Sequence, residues 1–393
     1  MRVLLVHNYY GSAAPSGENI IVDAEKDSLE RNGIEVELFS RNSDDIRRQG
    51  WIGLLKGGIS TIGNPIAAIS LVKAIRKYHP DVIHFHNTFP LISPLAVHAA
   101  HQSGAKVVMT VHNYRVVCAA GVPLREGHTC QDCFVNGINV TPSLRHRCYR
   151  GRFLATLPVA LNIWLYQKRW PKWVDRFIVL SQFQREKLIA CGFPAEKIAV
   201  KGNFADMRDA VKDVGKKQQI LYVGRLSDEK GVLTLIKAWK RCCLNLKLIV
   251  VGDGEKRSLY ERMSNGSGII FLGKKSHADV CDLMRESLVT ICPSECWETF
   301  GLSAIESLAE GTPIVVSDCG ALPELVERGD CGEVFKAGDA DALAAAINKI
   351  IARKDYAQMC RRAKDKVRSK YSEAANFSRL MSIYKEVLGC EGC

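Results

Sequence analysis

The chain has 393 residues, 47% hydrophobic and 24% charged, which excludes intrinsic disorder and gives room for two domains of about 150–200 residues each. Lys and Arg number 54 against 42 Asp and Glu, a net charge of +12 that calls for an acidic partner: a phosphorylated small molecule, an anionic membrane surface or nucleic acid. No apolar run reaches the roughly 18–20 residues that cross a bilayer; the longest candidate, Phe153 to Tyr166, has 14.

Met1-Arg2-Val3-Leu4-Leu5-Val6 runs directly into strand-like sequence, without the pattern of a secretory signal, so a cytoplasmic location is expected. A strand at Arg2–His7 is followed by a Gly/Ser/Pro loop and an amphipathic helix over Asn19–Asn32. Strands follow at Glu35–Phe39, Asp81–His86, Lys106–Val111, Arg176–Leu180 and Lys197–Lys201. The polar stretch Asn203 to Lys217 reads as a linker. The pattern then restarts with a strand at Gln219–Val223, a helix at Gly231–Cys242, and strands at Lys247–Val251, Ile269–Leu272, Leu288–Cys292 and Pro313–Ser317. Strands alternating with helices imply parallel sheets with helices on both faces. The expectation is an α/β protein of two doubly wound, Rossmann-like domains, over 1–205 and 206–370. A C-terminal helix over 371–393 should pack back on the first domain. Ligands of such sheets bind beyond the carboxyl ends of the strands.

The chemistry concentrates in the second domain. Gly224-Arg225-Leu226 ends a strand and Lys230-Gly231 opens the next helix, placing two cations where a diphosphate is readily held. A tight turn with two solvated charges would read the same way. Glu298-Thr299-Phe300-Gly301-Leu302 follows another strand, and Glu306 lies eight positions after Glu298. At a helical rise of 1.5 Å per residue that is about 12 Å, the reach of an extended nucleotide sugar. The free amides of a helix N-terminus between them would face a diphosphate. The only Asp-x-Asp triplet, Asp339-Ala340-Asp341, reads as a helix N-cap, so a metal-chelating carboxylate pair is missing. No Gly-x4-Gly-Lys-Ser/Thr loop is present, which counts against an ATPase.

The string from Pro293 through Glu306 to Glu324 resembles the retaining, two-domain GT-B glycosyltransferases of family 4, the group 1 glycosyltransferases, whose motif is Glu, seven residues, Glu. The resemblance covers nearly the whole chain. It implies two domains facing across a cleft and sugar transfer from a nucleotide-diphosphate donor, with the configuration retained. By that resemblance the donor is bound by Gly17, Gly224, Arg225, Lys230, Gly252, Phe300, Gly301, Leu302 and Glu306. Gly252-Asp253-Gly254 matches the loop before the family's base-binding region. Arg225 and Lys230 would stabilise the leaving diphosphate, Glu298 would orient the sugar, Glu306 would meet the ribose, and His112, in Val111-His112-Asn113, would hold the transferred sugar. Gly320-Ala321 departs from the usual paired glycines, and the first loop, Gly11 to Glu18, lacks adjacent glycines, with Ser16-Gly17-Glu18 its nearest match. Glu18 and His86 belong to the acceptor side. His84 and His86 share one face of a strand and are expected at the cleft edge, two imidazoles being too few for a metal.

A cysteine-rich insertion spans 115–150. Cys118, Cys130, Cys133 and Cys148 have the spacing of a structural zinc site; reduced or disulfide-linked structural thiols are the alternative, and His128 or His146 could replace one ligand. Some family members resemble this stretch. No cofactor is expected for catalysis itself. Residues 145–176 then carry eight Arg and Lys against Asp175, interleaved with Trp164, Tyr166, Trp170 and Trp173. This suits an anionic membrane surface as well as it suits an amphipathic helix packed on its own domain. Nucleic acid is disfavoured, because no single-strand stacking platform is present.

The expected function is therefore a retaining glycosyltransferase. Its acceptor would be a lipid-linked or other saccharide of surface polysaccharide assembly, at the inner face of the cytoplasmic membrane. A sugar-nucleotide epimerase of the same fold and a non-catalytic nucleotide-sugar-binding protein are the rivals. The basic tract disfavours the first; Glu298, Glu306, Arg225 and Lys230 together disfavour the second. The donor's base and sugar are not legible in these motifs.

Overall fold

The computed structural model describes residues 1–11, 17–134, 137–207, 215–242, 244–326 and 329–389. Much of the first glycine-containing loop, including Ser16, and residues 208–214 of the expected linker lie outside them. Residues 1–123, 130–201 and 377–393 form one compact unit, and residues 124–129 and 202–376 the other. The chain thus leaves the first unit after Lys201 and returns to it at Phe377, rather than at 205 and 371.

The first unit is built on a six-stranded parallel sheet of β1 (Arg2–Tyr9), β2 (Glu35–Asn42), β3 (Val82–Asn87), β4 (Lys106–Val111), β7 (Arg176–Val179) and β8 (Ile198–Val200), in the order β2-β1-β3-β4-β7-β8. The intervening β5 (Leu124–Arg125) and β6 (His128–Thr129) make a short antiparallel hairpin that belongs to the second unit. Strand order reverses between β1 and β3, and there the register slips after Val6, so that Val6 faces Phe85 but His7 faces Asn87. Such an irregularity re-aims side chains at the carboxyl end of a strand, where a doubly wound sheet binds its ligand. Val3, Leu5, Val82, Val108 and Ile178 on one sheet face are closed over by Leu380, Ile383 and Tyr384 of the Glu373–Leu388 helix. That helix therefore completes the first unit's core.

The second unit carries β9 (Gln219–Val223), β10 (Lys247–Val251), β11 (Ile269–Gly273), β12 (Val289–Cys292), β13 (Ile314–Ser317) and β14 (Gly332–Phe335), all parallel, in the order β11-β10-β9-β12-β13-β14. This is the dinucleotide-fold order, with the switch point between β9 and β12. Ile220 and Tyr222 point into a core with Leu235, Trp239, Leu343 and Ile347, while Leu221 packs with Val280 and Met284 on the other face. The two-residue alternation of a strand buried on both sides accounts for this split. Asp339 caps the Ala340–Ile351 helix as the sequence predicts, accepting from the Asp341 and Ala342 amides at 3.0 and 2.9 Å.

Candidate active site

At the switch point of the second unit, β9 ends in Gly224-Arg225 and β12 runs into the Pro293–Gly301 loop. A Cβ on Gly252 (φ +136°) would sit 1.9 Å from the Gly224 carbonyl oxygen, so the two loops touch through bare backbone. Arg225 stays two-thirds exposed, tethered only loosely to Glu229 at 3.8 Å. Lys230 closes the short Asp228–Lys230 turn and donates to Glu298 Oε1 at 2.5 Å, where Ser294 Oγ also donates at 2.6 Å. Burial works to raise the Glu298 carboxyl, but the Lys230 ammonium and the two hydrogen bonds outweigh it and hold it below the ordinary carboxylate range. The same pairing overcomes burial at Lys230 and raises its ammonium. Both groups are therefore charged at neutral pH. The Glu298 backbone is fixed by its bridge to Gly320 and by the Ala321 amide donating to its carbonyl at 2.9 Å.

Gly301 adopts φ +106°, open to glycine alone, and from it the Leu302–Ala309 helix starts with no side-chain cap. The helix begins at Leu302, so a helical rise does not apply from Glu298 to Gly301 and the 12 Å spacing expected between Glu298 and Glu306 is not a helical one. Glu306 faces the exposed His277, with Nε2 3.2 Å from Oε1. The Phe300 ring is buried against Tyr371, ring centres 5.6 Å apart.

The first unit holds a second cluster at its own switch point. His112 follows β4 directly, and its Nε2 lies 3.0 Å from His86 Nδ1 on β3. His86 is not at an edge as expected: it is buried, and its Nε2 lies 3.3 Å from Glu25 Oε1. Glu25, on the Gly17–Arg31 helix, also lies 3.4 Å from His84 Nδ1 and accepts from Lys201 Nζ at 2.7 Å. His84 is completed by Tyr384 OH at 2.7 Å and Thr110 Oγ1 at 2.8 Å. Burial opposes the Glu25 charge, but Lys201 and the two imidazoles prevail and its carboxyl falls well below the usual range. Burial and the neighbouring His86 keep His112 neutral. With Glu25 ionised, the pattern that fits puts the His86 proton on Nε2, towards the carboxylate. His86 Nδ1 then accepts from His112 Nε2–H, which fixes the His112 tautomer. Glu25, His84 and His86 place three ligand atoms within 4.8 Å of one another. The Lys201 ammonium already neutralises the carboxylate, however, and the group reads as a buried charge network.

Gly17 is not in the expected loop but opens the Gly17–Arg31 helix. Glu18 beside it is raised to about 8, burial outweighing the Arg115 guanidinium and a hydrogen bond from Asn113. His86, Asn87, His112, Asn113 and Arg115 line one pocket. Arg115 lies over the Phe89 and Tyr149 rings at 4.4 and 5.4 Å. Sequence reasoning missed Glu25, Lys201, Tyr384 and His277, because each reaches its partners across long sequence separations, and it gave no role to Arg115, three residues after His112. The side-chain pairing of His84 and His86 on one strand face was the one available signal.

Of the four cysteines of the insertion, Cys118 and Cys133 are buried and Cys130 and Cys148 partly so. Burial pushes the Cys118 thiol up to about 11 and the Cys133 thiol up to about 12. Of the aromatic residues in the basic tract, Trp170 and Tyr166 are buried and Trp173 packs on His98, ring centres 4.6 Å apart, while Phe153 and Trp164 are exposed.

Residues 203–367 match the model for glycosyl transferases group 1, and residues 17–208 that for glycosyltransferase family 4. The chain belongs to the group 1 glycosyltransferases, with the GT-B fold. It is 32% identical over 168 residues to the lipopolysaccharide 1,2-N-acetylglucosaminetransferase of Salmonella typhimurium, 39% of this chain and 44% of that protein. It is 28% identical over 227 residues to the phosphatidyl-myo-inositol mannosyltransferase of Mycolicibacterium smegmatis, 56% of this chain and 58% of that protein. The matches thus span about half the length of these curated relatives. The Anabaena HepE structure in complex with UDP superposes with a TM-score of 0.66 at 21% identity, covering 98% of this chain and 100% of that one, a likeness of fold.

Proposed function

We propose that the protein transfers a sugar from a nucleotide-diphosphate donor to an acceptor hydroxyl with retention of configuration. The observation that carries the reading is the Lys230–Glu298 pair, held charged at 2.5 Å beside the uncapped helix at Gly301 and the exposed Arg225. Lys230, Arg225 and the first amides of that helix supply fixed positive charge where a leaving diphosphate accumulates negative charge, which is electrostatic catalysis. Glu298 locks Lys230 in place, and Glu306 with His277 is available to ribose hydroxyls. His112, neutral and with its tautomer set by His86, takes a hydroxyl of the transferred sugar. As the family resemblance implies, the acceptor attacks from the face the diphosphate leaves.

The acceptor is proposed to be a lipid-linked saccharide, in line with the lipopolysaccharide and phosphatidylinositol enzymes among the relatives. Support within the chain comes from the Gly50–Ile62 helix of the first unit. Gly53, Gly57 and Thr61 bury one face, leaving Trp51, Leu54, Leu55 and Ile59 58–69% exposed on the other. Leu154 and Trp164 of the Phe153–Tyr166 helix add 80% and 59% exposed apolar side chains. Arg47, Arg48 and Lys56 stand exposed on or beside the Gly50–Ile62 helix. Apolar side chains ringed by cations suit the interface of an anionic bilayer, so a peripheral position on the inner face of the cytoplasmic membrane is part of the proposal. Nucleotide diphosphate release, measured over a panel of donors with and without lipid extract, tests the function. Release that depends on one donor and rises with the extract is expected; no release with any donor and extract would contradict it.

A further inference from the structure

We propose that His277 is the positioning residue that aims Glu306 at the donor's ribose, so that the site takes a ribonucleoside diphosphate sugar in preference to a deoxyribonucleoside one. This rests on the reading of Glu306 as the group that meets the ribose. In a parallel sheet each helix that follows a strand starts at the sheet's carboxyl edge, where the ligand binds. His277 is the first residue of the His277–Glu286 helix after β11, and Glu306 lies one turn into the Leu302–Ala309 helix after β12. Both therefore stand near that edge of the second unit, and His277 Nε2 lies 3.2 Å from Glu306 Oε1. A carboxylate only accepts hydrogen bonds, so the imidazole directs its Nε2 proton at Oε1.

The imidazole is itself held. Its helix starts in a capping box, the Asp279 amide donating to Ser276 Oγ at 3.2 Å and the Ser276 amide to Asp279 Oδ2 at 3.3 Å. One turn on, Cys281 Sγ lies against the ring, 4.0 Å from Nδ1 and 3.8 Å from Nε2. The pair is not needed to join the two helices. Arg285 already joins them, with Nε and Nη2 on Glu310 Oε2 at 2.8 and 2.6 Å and side chains only 12% and 5% exposed. The His277 side chain is instead 57% exposed, and an ion pair so open to water adds little to stability. Its consequence is orientation. Each carboxylate oxygen has two acceptor directions. With one direction of Oε1 taken by His277, the carboxylate plane is fixed, and both oxygens keep a direction free for two adjacent hydroxyls. A ribose offers that cis-diol; a 2′-deoxyribose offers one hydroxyl of the two. Losing a hydrogen bond to a charged acceptor lowers affinity about 10–100-fold.

Calorimetric titration of the full chain with UDP, GDP and ADP, and with dUDP, dGDP and dADP, tests this. At least one ribonucleotide should bind, about 10–100-fold more tightly than its deoxy counterpart. Glu306→Gln should lose most of that preference. His277→Leu should reduce it about fivefold, the scale for ordering one side chain on binding. It should also raise donor KM while kcat holds, because ribose contacts are alike in the ground and transition states. His277→Gln, whose amide nitrogen can stand where Nε2 does, should restore most of the preference, and neither His277 variant should move the melting temperature. A preference lost in Glu306→Gln but unchanged in His277→Leu would overturn the role of His277 and leave that of Glu306 standing. A preference unchanged in both would overturn the ribose reading as well. Equal affinity for ribose and deoxyribose forms in the unaltered chain, or binding of none of the six, would overturn the proposal outright.

Discussion

Removing the Glu25 charge perturbs the first unit at its most connected point. Glu25 and Lys201 are each 3% exposed and 2.7 Å apart, and the same carboxylate faces His84 and His86. Glu25→Gln keeps the shape but leaves the Lys201 ammonium buried without its counter-charge. Breaking a buried pair from one side costs about 3–5 kcal/mol. At about 2–4 °C per kcal/mol for a domain near 200 residues, the first unit's melting transition should fall by on the order of 10 °C. Lys201→Met should cost a similar amount, and the double variant should recover most of the loss, because two neutral groups leave no orphaned charge. The folded-state pKa of Glu25 is depressed, so its stabilisation is present above the unfolded value and lost as pH falls through the folded value; Glu25→Gln should lose that acid-side dependence. Calorimetry on the four proteins across pH reads all of this. Additive losses in the double variant, or a Glu25→Gln transition unmoved from the unaltered one, would refute the charge-network account and with it the fixed His112 tautomer.

Lys230→Ala or Arg225→Ala should reduce turnover by roughly 10²–10³, the scale for losing one preorganised charge; steady-state kinetics check this, and unaltered turnover removes the residue from the mechanism. Only Lys230→Ala should also lower the melting temperature, because it strands Glu298. Glu306→Gln should weaken donor binding in calorimetric titration, since it removes a charged acceptor otherwise shared with His277. Glu18 titrates near 8 in the folded chain, above its unfolded value, so stability should fall as pH rises from about 4.5 to 8; Glu18→Gln should flatten that slope in a melting series. Leu54→Ser with Leu55→Ser should cut co-sedimentation with anionic vesicles severalfold while the melting temperature holds, because both side chains are exposed.

Strands were legible where β-branched runs sit in the sheet interior: Lys106–Val111, Gln219–Val223 and Lys247–Val251 stand where the alternation put them. The edge strand Gly332–Phe335 escaped, since it is four residues long and carries Glu333. The Glu298–Glu306 and Arg225–Lys230 motifs are local, and short loops present them directly. The network under His112 is not local. His84 and Tyr384 are 300 positions apart, and Glu25 looks like any polar residue of an amphipathic helix until β3 lies beside it. The outward apolar face of Gly50–Ile62 was likewise hidden, since only its three buried small residues reveal which side faces out.

The anomeric configuration of the product tests the central claim most directly. With whichever donor supports turnover, proton NMR of the first product formed should show the configuration of the donor linkage, as expected when Arg225, Lys230 and the helix at Gly301 hold the leaving diphosphate on the face the acceptor attacks. An inverted anomeric centre would contradict that mechanism.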